Sequence, residues 1–302
     1  VSNAVRALLV GLACVALGCA HGWRRGEREL QPGALELGGR SRTYLWWGPA
    51  HPGAPLVLAL HGRFGDGRSM ARLTGLTAVA KREGFTVVYP DGVERSWNDG
   101  RAHGPAAAQA VDDVAFLSAL IDAFVARGSD PRRVYVTGMS NGAFMSVTLL
   151  CRAADKLAGA VAVTGALSAN DARRCTPSRP VPLAFILGTE DPLVPFTGGP
   201  VASTRGETLS AEASARHFAA QYGCASEPQV EALPDVAAND GTRTERRWWP
   251  GCRAPARVEL YAVQGGGHTW PLGRSALPAR RVGPTSQDFS ASEVAWRFFS
   301  GR

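Results

Sequence analysis

Gly138-Met139-Ser140-Asn141-Gly142 sets a serine between two glycines. A β-branched and aromatic run, Val134-Tyr135-Val136, precedes it, and Ala143-Phe144-Met145 opens a helix-forming run after it. Strand, sharp turn and helix in that order hold a serine hydroxyl out at the top of a sheet. The two glycines let strand and helix close together without a Cβ clash. The helix N-terminus beside the serine favours developing negative charge. With 35 glycines in the chain the five-residue pattern is weak alone, so its weight comes from the flanking strand and helix.

A serine hydroxyl is a poor nucleophile until an imidazole takes its proton. Two histidines follow Ser140. His217 lies in the amphipathic run Ala215-Arg216-His217-Phe218-Ala219-Ala220, where a packing or surface role fits. His268 follows Gly265-Gly266-Gly267 after an apolar run, and is the candidate base. The base needs a carboxylate to hold its tautomer and orientation. Asp191, in Gly188-Thr189-Glu190-Asp191-Pro192, follows another apolar run and is the candidate, with Glu190 its nearest rival. Asp171, Asp235 and Asp240 sit in polar turns, where capping or solvation explains them. An oxyanion needs two donors. One is the backbone N–H of Asn141, whose side chain is expected to matter less. The other is the N–H of Arg63, in the loop after Leu60. His61 precedes the serine and is expected to be structural.

These residues need a sheet to stand on. Leu56–Leu60 is a continuous apolar run, as a strand buried on both faces requires. The alternation continues with a helix from about 67 to Glu83, a strand Phe85–Tyr89, a helix Val111–Val125, a strand Arg133–Thr137 and a helix Asn141–Ala153. Strands Leu157–Thr164 and Pro182–Leu187, a helix Leu209–Tyr222, a strand Arg257–Val263 and a helix Ser290–Phe299 complete it. Two hairpins flank the core: Ala34–Leu37 with Arg42–Trp47 across Gly38-Gly39, and Gln229–Leu233 with Thr242–Trp249 around Asn239-Asp240-Gly241. Repeated strand–helix units imply a mostly parallel central sheet with helices on both faces. The chain order Ser140, Asp191, His268 is that of the α/β-hydrolase fold.

The chain has 302 residues, enough for one large α/β domain, expected over 34–302 and to act as a monomer. Its net charge is +7, but the arginines are scattered and no basic helix accompanies them, which argues against a nucleic-acid partner. Residues 7–20 form an apolar run after Arg6, too short to span a bilayer comfortably, and 1–20 read as a secretory signal peptide, with 21–33 a linker. Ala16-Leu17-Gly18-Cys19 resembles a bacterial lipobox with Cys19 as the lipidated residue. Secretion, or periplasmic and outer-membrane anchoring through that lipid, both stay open. Four cysteines remain outside the signal, and an even number in an exported chain suggests disulfides. Three pairings are open, and joining sequence neighbours favours Cys151–Cys175 and Cys224–Cys252. No Cys-x-x-Cys spacing supports a metal site, and neither metal nor cofactor is expected.

The chain resembles the esterase family of secreted, LpqC-like polyhydroxybutyrate depolymerases and of feruloyl and acetylxylan esterases. The matching stretches are Leu60-His61-Gly62, Tyr89-Pro90-Asp91-Gly92, Ser96-Trp97-Asn98 and Val111-Asp112-Asp113-Val114. Further on come Gly138–Gly142, Gly188–Pro192 and Gly265-Gly266-Gly267-His268-Thr269-Trp270-Pro271. The resemblance spans about residues 34–300. It implies Ser140, Asp191 and His268 as the triad of a serine esterase acting on polyhydroxybutyrate-type or feruloyl and acetyl-polysaccharide esters, and with no polymer-binding module expected, soluble or oligomeric esters are favoured. It also puts Trp97 and Trp270 near the pocket as substrate-binding rings, with core packing the alternative for each, and Asp112 and Asp113 as structural caps. Arg63 and Phe64 depart from the small or aromatic residues common after His-Gly, and Ala143 stands where a second glycine is frequent. A serine peptidase or acyltransferase on the same fold, or a non-catalytic binding protein, are the other readings.

Overall fold

The structure, a computed structural model, describes residues 29–49, 51–275 and 277–302. The expected signal segment with Cys19, and residues 21–28 of the expected linker, lie outside the described residues.

Ten strands form one sheet in the order β1-β2-β4-β3-β5-β6-β7-β12-β11-β10. These are β1 (Gln31–Leu37), β2 (Arg40–Trp47), β3 (Leu56–Leu60), β4 (Thr86–Pro90), β5 (Val134–Met139), β6 (Gly159–Val163), β7 (Leu183–Gly188), β10 (Gln229–Ala232), β11 (Arg243–Trp249) and β12 (Val258–Gln264). From β4 to β12 every neighbouring pair is parallel. The flanking strands β1, β2, β11 and β10 are antiparallel, as the two hairpins require. Strand β1 begins at Gln31, inside the stretch expected as linker, because Gln31 to Gly33 already pair with Trp46 to Tyr44.

Successive residues of a strand face opposite sides of a sheet. Leu56, Leu58 and Leu60 of β3 accordingly join one core cluster with Val134, Val136, Phe116, Leu120 and Leu149. Val57 and Ala59 join the other, with Val87, Tyr89, Val161, Val163, Trp296 and Phe299. Helices therefore cover both faces, as the unbroken apolar runs predict.

The single helix expected over 67–83 is two, Gly67–Thr74 and Leu76–Glu83. Gly75 between them adopts φ 61°, a left-handed conformation that ends the first helix while its N–H bonds Ala71 O. Other boundaries fall within a few residues of expectation. Three four-residue helices, Pro105–Ala108, Ala169–Ala172 and Ala279–Val282, and the two-residue pair β8 (Gly199–Pro200) with β9 (Glu207–Thr208) carry no period long enough to read in sequence.

Both expected disulfides are present. Cys151, at the end of helix Asn141–Arg152, joins Cys175, and Cys224 joins Cys252. Among the described residues no helix is long and apolar enough to cross a membrane, and no cluster of three His, Cys, Asp or Glu could hold a metal ion.

Candidate active site

Ser140 stands between the end of β5 and helix Asn141–Arg152 at φ 56°, ψ −119°. A non-glycine residue there is strained by about 1–3 kcal/mol. The surroundings leave it no alternative. A Cβ on Gly138 would lie 2.3 Å from Gly142 O, and one on Gly142 2.1 Å from Leu60 O. Only glycine at both positions lets β5, the helix and the end of β3 meet. Ser140 N–H bonds Val163 O at 2.9 Å, and its carbonyl accepts from Ala143 and Phe144. Although Ser140 is the helix N-cap residue, its side chain makes no capping hydrogen bond, which keeps the hydroxyl for other partners.

His268 and Asp191 come together from the ends of β12 and β7. His268 Nδ1 lies 2.8 Å from Asp191 Oδ2, and both side chains are buried. The second carboxylate oxygen, Oδ1, accepts from the N–H groups of Leu193 and Val194, each at 2.8 Å. Asp191 is thus fixed at both oxygens. The three glycines before His268 serve a close approach. A Cβ on Gly188 would sit 2.2 Å from Gly266 O, and one on Gly267 2.0 Å from Val282 O. His268 N–H then bonds Val282 O, which sets the ring's direction. Glu190, the rival carboxylate, points into solvent. His217 packs beside Cys175 O and Gln221, away from the site, as expected.

The proposed oxyanion donors flank Ser140. Asn141 is the first residue of its helix, where N–H groups have no partner within the helix. The loop after β3 passes close to the serine: a Cβ on Gly62 would lie 3.4 Å from Ser140 Cβ. In that loop the Phe64 and Gly65 N–H groups already bond Arg95 O and Gly62 O, so neither is available to a ligand, and Arg63 keeps its place as the candidate.

Asn141 departs from the sequence reading, which assigned its function to the backbone. Its side-chain oxygen accepts from Trp97 N–H at 2.8 Å, while its amide donates to Trp97 O at 3.0 Å and to Asp99 Oδ2 at 2.5 Å. The side chain clamps the 97–99 segment to the base of the elbow. Trp97, expected at the pocket, is completely buried, its indole N–H bonded to His61 O at 2.9 Å. Trp270 is likewise buried, with its N–H on Ser292 Oγ. Neither ring lines the cleft. Both are core residues that support the loops carrying the site.

His61 is structural, as expected. Its Nε2 accepts from Gly92 N–H at 2.9 Å, and its Nδ1 lies 2.8 Å from Gly62 O. The first contact requires an unprotonated Nε2, and burial lowers the ring's pKa below 6.5, so the ring is held neutral. Asp113 anchors the neighbouring segment. It pairs with Arg42 at 2.7 Å and accepts from Asn98 N–H, while burial raises its carboxyl pKa despite the cation. Asp112 caps its helix by accepting from Ala115 N–H. Asp171 proves to be buried, accepting from Thr148 and Arg152.

Ser140 and His268 both line an open cleft of about 580 Å³. Phe64, Leu73, Leu193, Leu277 and Val282 give it an apolar wall. Phe64, held at φ 67°, and Leu277 are both largely exposed, so the aromatic surface expected from the two tryptophans is supplied by Phe64. Beside Ser140 and Asn141 a smaller recess of about 30 Å³ is lined by Arg63, Arg101, His103 and Arg205. Arg205 carries no motif that sequence reading could have found. Arg101 had one weak signal, the acidic Asp99 two residues before it.

Residues 41–225 match the family described as Esterase PHB depolymerase. The protein named "Putative esterase NocK" of Nocardia uniformis subsp. tsuyamanensis is 32% identical over 280 residues, covering 88% of this chain and 81% of that protein. Feruloyl esterase B of Piromyces equi is 28% identical over 71% of this chain, which spans 39% of that protein's length. Among solved structures, an acetyl xylan esterase from Aspergillus awamori superposes with a TM-score of 0.57 at 14% identity, covering 80% of this chain and 95% of that one, a likeness of fold. An α/β-hydrolase sheet, a serine elbow at the end of β5 and these matches together make the chain a member of the Esterase PHB depolymerase family.

Proposed function

We propose that the chain is an exported serine carboxylic-ester hydrolase that works through Ser140, His268 and Asp191. The observation that carries this reading is the 2.8 Å contact between His268 and Asp191, on the wall of a cleft that Ser140 also lines. Asp191 holds the Nδ1–H tautomer of His268, leaving Nε2 to take the Ser140 proton as Oγ attacks the ester carbonyl. The N–H groups of Asn141 and Arg63 receive the oxyanion, each contributing roughly 3–4 kcal/mol to the transition state. Collapse expels the alcohol, protonated by His268, and leaves an acyl group on Ser140. Water, deprotonated by the same imidazole, then releases the acid.

The relatives are named for feruloyl, acetylxylan and poly(3-hydroxyalkanoate) esters, and small or oligomeric esters of those kinds are the substrates proposed here. Two disulfides support export, since such bonds persist in oxidising compartments. Residues 1–20 are the proposed export signal, with Cys19 the lipid site if the protein is anchored.

The test is labelling with a fluorophosphonate probe. The wild type labels and hydrolyses p-nitrophenyl acetate, while Ser140→Ala does neither. Equal labelling of Ser140→Ala refutes the assignment. A protein that labels at Ser140 but transfers acyl groups to an alcohol faster than to water is an acyltransferase instead.

A further inference from the structure

We propose that this site selects esters bearing a free carboxylate, held beside the nucleophile by Arg63 and Arg205. The inference deepens the ester-hydrolase reading and rests on it.

The recess next to Ser140 and Asn141 is lined by three arginines and a histidine, and among the described residues no aspartate or glutamate lines it or the larger cleft. Arg101 is accounted for within the protein. Its Nε and one terminal nitrogen bond Asp99 at 2.9 and 2.5 Å, and the other terminal nitrogen bonds Arg205 O at 3.3 Å. It is neutralised, and it ties down the loop that carries Arg205. Among the described residues Arg63 and Arg205 have no such partner. Their guanidinium carbons lie 4.7 and 5.7 Å from the centroid of the same exposed ring, Phe64. The acids nearest in effect to Arg63 are otherwise engaged. Asp99 is bonded to Arg101 and Asn141, and Glu94 accepts from Gln109.

Two further observations point to an anion. Arg63 Nε is buried without a hydrogen-bond partner among the described residues. A buried donor left unpaired is costly. The Arg63 pKa is lowered, first by burial and next by Arg205 and Arg101, so the cations crowd one another. A carboxylate offsets that crowding, and its two oxygens match a guanidinium fork. The recess of about 30 Å³ exceeds what a single water requires, ~10–15 Å³ on this measure, and is far short of a phenyl ring. The entering group is therefore a carboxylate on a short arm. Of the ester types for which the relatives are named, a hydroxyalkanoate oligomer ends in a carboxylate, whereas acetyl and feruloyl groups carry none.

The carboxylate can sit on the acyl or the alcohol half, and paired substrates separate the two. Monomethyl succinate is compared with methyl 4-methylpentanoate, and acetoxyacetate with isobutyl acetate, by pH-stat at low and high salt. At least one anionic ester is expected to exceed its neutral isostere tenfold or more in kcat/KM, with the advantage shrinking at high salt. Arg205→Gln should cut that ratio about tenfold, Arg205→Lys, which keeps the charge but loses the fork, should keep only part of it, and Arg205→Glu should invert it. The proposal is overturned if the esters are hydrolysed with neither anionic one preferred, or if Arg205→Gln lowers both members of a pair equally. Calorimetric titration of Ser140→Ala with the same pairs reads selection without hydrolysis. Equal binding of both members overturns the proposal, whereas tighter binding of the anionic ester supports it even if the wild type hydrolyses neither, a result that would instead remove the ester-hydrolase reading.

Discussion

Truncating Asn141 separates a backbone role from a side-chain role. Asn141→Ala keeps the N–H offered to an oxyanion and deletes three side-chain hydrogen bonds, two to the Trp97 backbone and one to Asp99. Trp97 N–H and C=O are then left buried and unpaired at about 1–3 kcal/mol each, while Asp99 keeps Arg101. The expected loss is about 3–5 kcal/mol, a large fraction of the roughly 5–15 kcal/mol typical of a folded protein. Asn141→Asp, nominally more conservative, should be worse. The oxygen replacing the amide nitrogen would face Trp97 O and Asp99 Oδ2 at the present 3.0 and 2.5 Å. Two carboxylates that close repel by several kcal/mol even at an effective dielectric of about 20. Urea unfolding followed by tryptophan fluorescence reads both variants. The reasoning fails if Asn141→Ala costs less than about 1 kcal/mol, or if Asn141→Asp is the more stable of the two.

Asp191→Asn should keep the fold and lower kcat about 10⁴-fold by releasing the His268 tautomer, as in a well-studied triad, read with p-nitrophenyl acetate. His61→Gln should destabilise most above pH 6.5. The folded-state His61 pKa is lowered, so the stability gained from a neutral imidazole is complete above the unfolded value and fades as pH falls toward the folded one. The gap between wild type and variant in thermal or urea unfolding should therefore narrow below pH 6.5 and not widen. Reducing either disulfide should cost about 3–4 kcal/mol, given sequence separations of 24 and 28, measured with Cys151→Ala/Cys175→Ala and Cys224→Ala/Cys252→Ala.

The candidate triad was legible because each member sits at a local transition from apolar strand to polar or glycine-rich turn, and its chain order carries information. Both disulfides were legible because each joins neighbours in sequence. The helix over 67–83 was misread because a left-handed glycine reads in sequence like any other interior glycine. Trp97 and Trp270 were misplaced for a different reason. Their motifs lie next to the site residues in sequence, but the rings face inward, and which side of a loop a ring takes depends on what packs behind it. The side-chain role of Asn141 was invisible for the same reason, since its partners Trp97 and Asp99 come from another loop.

Composition, periodicity and turn chemistry alone determined a parallel sheet with two-sided burial, an elbow at Ser140, and a candidate base and carboxylate after later strands. Each of those follows from interactions between residues close in the chain. Only the tertiary structure decided what surrounds the elbow: Phe64 instead of the tryptophans as the exposed ring, Asn141 as a clamp, and Arg63 and Arg205 sharing a recess without an acid. Those contacts join loops at the ends of separate strands, which only the assembled sheet brings within a few ångströms of one another.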